Sequence, residues 1–222
     1  MRIVHESEFD HAEGLHPHLI TNVLTSAAAP STSALDDTED EQGCQWDIVY
    51  QLPPSLFVDR YQLQDTLGSK YAIVVHGFQN LELPLEHVPP KDTFVILRPL
   101  VATTNATIDL PLHKRYQQPD GSLHHRAIHL PLPQVFSICP DHHTLRLPPI
   151  HASLSLLPAP DTAQPSTMKL AVPVGDLNDQ FAVQWGTTLT IAFVSLWIFW
   201  SVLQAIRKQK RIDAKGKRRK SE

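Results

Sequence analysis

Two rhythms of hydrophobic and polar positions divide this chain near residue 181. Before it, strand-length apolar runs recur at short intervals: Cys44 to Leu52, Tyr71 to Val75, Thr93 to Val101, Thr107 to Leu112, Arg126 to Leu132 and Val135 to Ile138. Pro or Gly punctuates nearly every gap between them, as strands joined by turns require. Two further runs alternate cleanly. Ala152, Leu154 and Leu156 are interleaved with Ser153 and Ser155, and Met168, Leu170, Val172 and Val174 with Lys169, Ala171 and Pro173. That is the period of a half-buried strand, so both are expected to be strands. Tyr61 to Leu67 predicts one short helix or turn. No other stretch before Phe181 keeps helical spacing without meeting one of the 19 prolines, which remove a backbone donor and clash with the preceding turn. The pattern therefore predicts a mainly β domain, an antiparallel sandwich-like arrangement, with Pro111, Pro131 and Pro173 on edge strands or at bulges.

After residue 181 the pattern changes. Phe181 to Ile206 carries no ionisable group, and Arg207-Lys208-Gln209-Lys210-Arg211 follows at once. About 20 apolar residues cross a bilayer, and flanking Lys/Arg mark its cytoplasmic side. A transmembrane helix over 182–206 is expected, with Trp185 at the outer headgroup level, a basic cytosolic tail over 207–222 and the N-terminal domain in a lumen.

Charge sharpens this division. Residues 207–222 hold nine Lys/Arg against Asp213 and Glu222, a net of +7; the whole chain is −4, which leaves −11 for residues 1–206. An acidic translocated domain and a tail drawn to an anionic leaflet fit that split. The tail has no aromatic residue, which argues against nucleic-acid binding. It ends Arg218-Arg219-Lys220-Ser221-Glu222, similar to the dibasic signals that return membrane proteins to the endoplasmic reticulum. At the other end, Met1 to Glu8 lacks the apolar core of a secretory leader. Three routes are open: a leader missing from this start, unconventional targeting, or a tail-anchored protein with a cytosolic domain. The last would push nine basic charges through the bilayer, against the positive-inside bias.

Two features favour a lumen. Asn105-Ala106-Thr107 is an acceptor sequence for N-glycosylation, in a Thr103-Thr104-Asn105 stretch that reads as a loop. Cys44 and Cys139 both precede the span. They either form one disulfide in an oxidising compartment or remain two buried thiols. The stretch 25–43, with Asp36-Asp37-Thr38-Glu39-Asp40-Glu41, has almost nothing to bury and reads as a disordered acidic insertion. The expected organisation is an N-terminal segment over 1–24, this insertion, a β-rich domain over 44–180, the span and the tail.

Catalytic signatures are lacking. There is no G-x-S-x-G elbow, Walker loop or G-x-G-x-x-G, and only eight glycines in all. His124, His125 and His129 form H-H-x-x-x-H, but zinc-protease spacing needs a helix and a Glu between its ligands. These three, with His142 and His143, read as solvated or hydrogen-bonded histidines. Asp47, Asp59, Asp109 and Asp120 are scattered singly. No catalytic, cofactor-binding or metal-ligating residue is assigned.

Four segments carry a resemblance. Gly14-Leu15-His16-Pro17-His18-Leu19-Ile20 comes first, then Tyr50-Gln51-Leu52-Pro53-Pro54-Ser55-Leu56-Phe57-Val58-Asp59-Arg60-Tyr61-Gln62-Leu63. Leu110-Pro111-Leu112-His113-Lys114-Arg115-Tyr116-Gln117-Gln118-Pro119 follows, and last Cys139-Pro140. In this order the chain resembles the PIG-X family and its fungal counterparts, from about Gly14 to the end of the span. The L-P-L-H-x-R-Y-x-x-P and L-P-P-x-x-F-V-D-x-Y runs are the most specific parts; the N-terminus and the acidic insertion depart from the pattern. The resemblance implies a non-catalytic, single-span subunit of the endoplasmic reticulum membrane. Its role would be to stabilise a multi-span partner, PIG-M, which adds the first mannose to the glycosylphosphatidylinositol precursor from dolichol-phosphate mannose.

A stabiliser needs surfaces rather than a catalytic centre. Thr188, Ala192 and Ser195 fall at i, i+4 and i+7, a small-residue stripe where a partner helix could approach. His113, Arg115 and Tyr116 are the candidate contacts of the domain, since Arg and Tyr suit interface anchors; the alternative is that Tyr116 fills the core and Arg115 braces a strand. Two rival classes are a single-span receptor or adhesion domain and an enzyme whose site only the fold assembles.

Overall fold

A computed structural model describes residues 2–26, 44–119, 121, 124–140, 146–158 and 166–219. The expected insertion beyond Ser26, Asp120, His142, His143 and the last three residues lie outside the described residues. The described residues divide into two compact units, one made of those up to 118 together with 124–174, the other of 119 and 121 together with those from 175 onward.

The first unit is built from antiparallel sheets. β1 (Arg2–Asp10), β2 (His18–Ser26) and β7 (Asn105–Pro111) form one, in the order β1-β2-β7. β3 (Gln45–Leu52), β5 (Tyr71–His76), β6 (Thr93–Pro99) and β10 (Gln134–Ile138) form a second, ordered β10-β3-β6-β5. β9 (His125–Pro131) pairs with β11 (Thr167–Pro173), and the two-residue β4 (Leu56–Phe57) with β8 (His113–Lys114). Every apolar run of the first list is a strand, and α1 (Arg60–Leu67) is the expected short helix.

Burial explains the pairing. On β2, β7, β9 and β11, buried Leu19 and Val23, Ile108 and Leu110, Ile128 and Leu130, and Leu170 and Val172 alternate with more exposed residues. β3 lies between β10 and β6, and its middle residues Trp46 to Tyr50 are all buried. The eight side chains of those four strands, with Trp46, Ile48 and Tyr50 of β3, join one hydrophobic cluster with Leu52, Leu63, Val95, Leu97 and Leu112. Pro111, Pro131 and Pro173 each end a strand, where their missing N–H costs little.

The N-terminal segment, read from sequence only as part of the domain, is two full strands. On β1 the inward positions are Ile3, His5, Ser7 and Phe9, so the period is present but half the inward set is polar. The expected strand at Ala152 to Leu156 is a 3₁₀ helix, Ile150–Leu156. Its Ser-Leu alternation misled because the buried residue is a serine. Ser153 is 1% exposed and its hydroxyl donates to Asp47 Oδ2. That carboxylate is wholly buried and also accepts from Arg98 Nε at 2.6 Å and Nη2 at 2.7 Å, while Arg98 Nη1 donates to the carbonyl of Pro148 at 2.7 Å. A polar pin, not an apolar face, docks this segment on β3 and β6.

Cys44 and Cys139 form a disulfide. They occupy the next rung beyond the Gln45↔Ile138 pair of β3 and β10, so register alone brings them together.

In the second unit, Asp176 caps a short 3₁₀ turn by accepting from Asn178 N at 2.8 Å, and α2 (Gln180–Arg219) follows. It is the one helix among the described residues long and apolar enough to cross a membrane, with a mean hydropathy of 1.9 over its apolar window and none of that window buried. Its 40 residues at 1.5 Å each give about 60 Å, twice the bilayer core. The helix therefore carries the basic residues on without a break to Arg219. Thr187, Thr188 and Thr190 return their hydroxyls to carbonyls four residues earlier, which lowers their polarity in an apolar setting.

Candidate functional site

Three segments far apart in sequence meet where β4 pairs with β8. Phe57 lies opposite His113 and Leu56 opposite Lys114. The loop before β2 joins them, since Lys114 N donates to Leu15 O and Leu112 N to Pro17 O, each at 2.9 Å. Arg115 N donates to Ser55 O at 2.9 Å. Asp59 then starts α1 by accepting from Tyr61 N at 2.8 Å, as an N-cap carboxylate does. Gly14, at φ +87°, turns the chain into the junction.

Three successive side chains of β8 and its continuation tie this junction to its surroundings. His113 Nδ1 lies 2.8 Å from His16 Nδ1, and its Nε2 lies 2.8 Å from Gln62 Oε1 on α1. Lys114, 4% exposed, donates to the carbonyls of Ala12 at 2.7 Å and Ala171 at 2.8 Å, linking the start of the chain to β11. Arg115, 5% exposed, donates to the carbonyls of Asn80, Leu81 and Leu83 and lies over the Phe57 ring at 4.5 Å. Each cation is thus held by carbonyl dipoles or an aromatic face within its own domain.

The junction is electrostatically lean. Burial, then His16, push the His113 pKa down, against a smaller opposing pull from Asp59. Burial also lowers Lys114 and Arg115 from their ordinary values. At the junction's rim, His18 Nδ1 meets Asp109 Oδ1 at 2.6 Å, with both side chains well exposed. Exposed Tyr61 carries the Arg60 guanidinium over its ring at 4.8 Å. Beside it is a cleft of about 250 Å³ lined by Val58, Asp59, Arg60, Tyr61, Gln79 and Leu81.

The candidate contacts separate. Tyr116 is 75% exposed and free of the core, whereas Arg115 is buried and braces the loop around residues 80–83. His113 sits half-buried between them in exposure. Asn105 opens β7 and is exposed, and Thr107 donates to Asn22 Oδ1 at 2.7 Å. Thr188, Ala192 and Ser195 lie on α2 and are exposed. The solitary acids have local duties: Asp47 is the buried pin, Asp59 a helix cap and Asp109 a partner of His18. His124, His125 and His129 are exposed on or beside β9. No group of three His, Cys, Asp or Glu among the described residues is placed to hold a metal ion.

Sequence reasoning did not single out Lys114, Phe57, Gln62 or His16 as one group. The only available signal was that they all sit in the segments that carry the resemblance.

The comparison with known families falls on the same residues. Residues 12–203 match the family model described as PIG-X / PBN1. The chain belongs to the PIG-X/PBN1 family. All three converging segments lie inside the matched range. Among curated relatives, Protein PBN1 of Gibberella zeae is 27% identical over 95% of this chain and 45% of its own length. That of Neurospora crassa is 26% identical over 91% and 43%, and that of Debaryomyces hansenii 30% identical over 57% and 25%. The chain thus spans less than half the length of these relatives. No solved structure matches it.

Proposed function

We propose that this PIG-X/PBN1 family member serves glycosylphosphatidylinositol-anchor biosynthesis as a non-catalytic subunit of the endoplasmic reticulum membrane. In this reading the β domain is luminal, α2 spans the bilayer and the basic end is cytosolic. Its partner is the multi-span, PIG-M-like mannosyltransferase that adds the first mannose, and its task is to keep that enzyme folded and abundant.

The observation that carries this reading is the use made of the family segments. Lys114, Arg115 and the inward side of His113 hold backbone carbonyls, a ring and a glutamine of their own domain, which are framework duties. What the same segments leave outside is Tyr61 with Arg60 on its face, Tyr116 and a shallow cleft. Exposed Tyr and Arg supported by a rigid floor are what a protein partner needs. Along α2 the partner's helices would meet Thr188, Ala192 and Ser195.

The test is co-purification of the tagged full-length chain from its own cells. The multi-span transferase should come with the wild type and be reduced with Tyr61→Ala/Tyr116→Ala, and also with leucine at Thr188, Ala192 and Ser195. Undiminished recovery with both variants would reject these contacts, and no recovery with the wild type would reject the partner.

A further inference from the structure

Of the chain's four asparagines, only Asn105 is followed two residues later by Ser or Thr. The structure puts it at a particular place. It is the first residue of β7, an edge strand of its sheet, and it is exposed. It also lines a cleft of about 380 Å³, together with Lys70, Tyr71, Leu100, Val101 and Thr107. The cleft runs between the start of β7 and the corner where β5 begins and β6 ends. On its wall Leu100 is 55% and Val101 77% exposed, two adjacent apolar side chains in a turn that packing leaves uncovered.

We propose that Asn105 carries an N-linked oligosaccharide whose first sugar rings lie in this cleft and cover Leu100, Val101 and the open edge of β7. This rests on the luminal placement proposed above. In the modification the Asn105 amide nitrogen attacks the anomeric carbon of an oligosaccharide borne on a lipid diphosphate. A C–N bond forms, the C–O bond to the diphosphate breaks, the lipid diphosphate leaves and the amide loses one proton. The occupant of the cleft is thereby fixed covalently to its wall. Sugar rings present C–H faces that suit aliphatic side chains and hydroxyls that suit the Lys70 turn. An oligosaccharide at the head of an edge strand also obstructs pairing with another chain, the hazard every exposed edge carries.

The test uses the full chain in microsomes of its own cells. Asn105→Gln and Thr107→Ala should each remove one glycosidase-sensitive mobility step, while Thr107→Ser should keep it. Tryptic cleavage after Lys70, read in detergent against cleavage after exposed Arg60, should be severalfold faster in both glycan-less variants. As a control, Asp36→Asn creates an Asn-Asp-Thr acceptor at residues 36–38. A glycan gained there but absent at Asn105 overturns the assignment. No glycan at either position removes the luminal placement and this proposal with it. A glycan at Asn105 with unchanged Lys70 cleavage refutes the cover.

Discussion

The rings of Phe57 and His113 lie nearly parallel across the β4–β8 pair, with centroids 5.1 Å apart and planes 16° apart. This stacking helps to half-bury the imidazole, and burial disfavours its charged form. His16 opposes protonation further, and the nearby carboxylate of Asp59 compensates only in part.

A pH dependence follows. The folded pKa of His113 lies below the ordinary 6.5 that the unfolded chain retains, so the unfolded state binds more protons as the pH falls through 6.5. Stability contributed by the neutral ring is complete above that value, declines below it and levels off once the folded site also protonates. The difference in thermal midpoint between wild type and His113→Gln, measured on the full chain in detergent from pH 7.5 downward to about 5, should shrink with acidity. A difference that stays constant would contradict the burial of this ring.

Arg115 and Tyr116 are adjacent yet should behave as opposites. Arg115→Ala leaves the carbonyls of Asn80 and Leu83 without their donor and should cost about 2–3 kcal/mol. Tyr116→Ala removes an exposed ring and should change stability by no more than about 0.5 kcal/mol. Chemical unfolding of the two variants decides; equal losses would contradict the placement.

The Asp47–Arg98 pair gives a test of coupling. Asp47→Ala strands a guanidinium that is 12% exposed and should cost about 3–5 kcal/mol. The double variant Asp47→Leu/Arg98→Met removes both charges and should be less damaging than the single one, as seen in the unfolding midpoints.

The disulfide closes a sequence separation of 95 residues. Cys44→Ser should lower stability by about 2–5 kcal/mol, and adding Cys139→Ser should cost little more. Non-reducing electrophoresis should show the wild type alone changing mobility on reduction.

Much of the fold was legible because its strands obey a local rule. β3, β5, β6, β7, β9, β10 and β11 announce themselves by apolar runs, and α2 by the absence of charge. The failures share a cause as well. β1 turns His5 and Ser7 inward and the 3₁₀ helix buries Ser153, so in both places a polar residue occupies a position the pattern reserves for an apolar one. Only tertiary partners make that tolerable: Thr21 Oγ1 lies 3.0 Å from Ser7 Oγ, and Asp47 accepts from Ser153. At the site, the segments were visible as motifs but their meeting was not. The contact of His113 with His16 links residues 97 apart, and no periodicity reports such a distance. The opposite fates of Arg115 and Tyr116 depend on the loop around residues 80–83, which sequence reasoning had no reason to place there.

The most direct test of the proposed role is to deplete this protein from its own cells. Microsomes would then be assayed for mannose transfer to the glucosaminyl-phosphatidylinositol acceptor while the multi-span transferase is quantified by blotting. A stabilising subunit predicts that activity and transferase fall together and that both return with the full-length chain. Activity lost with the transferase intact, or neither lost, would contradict it.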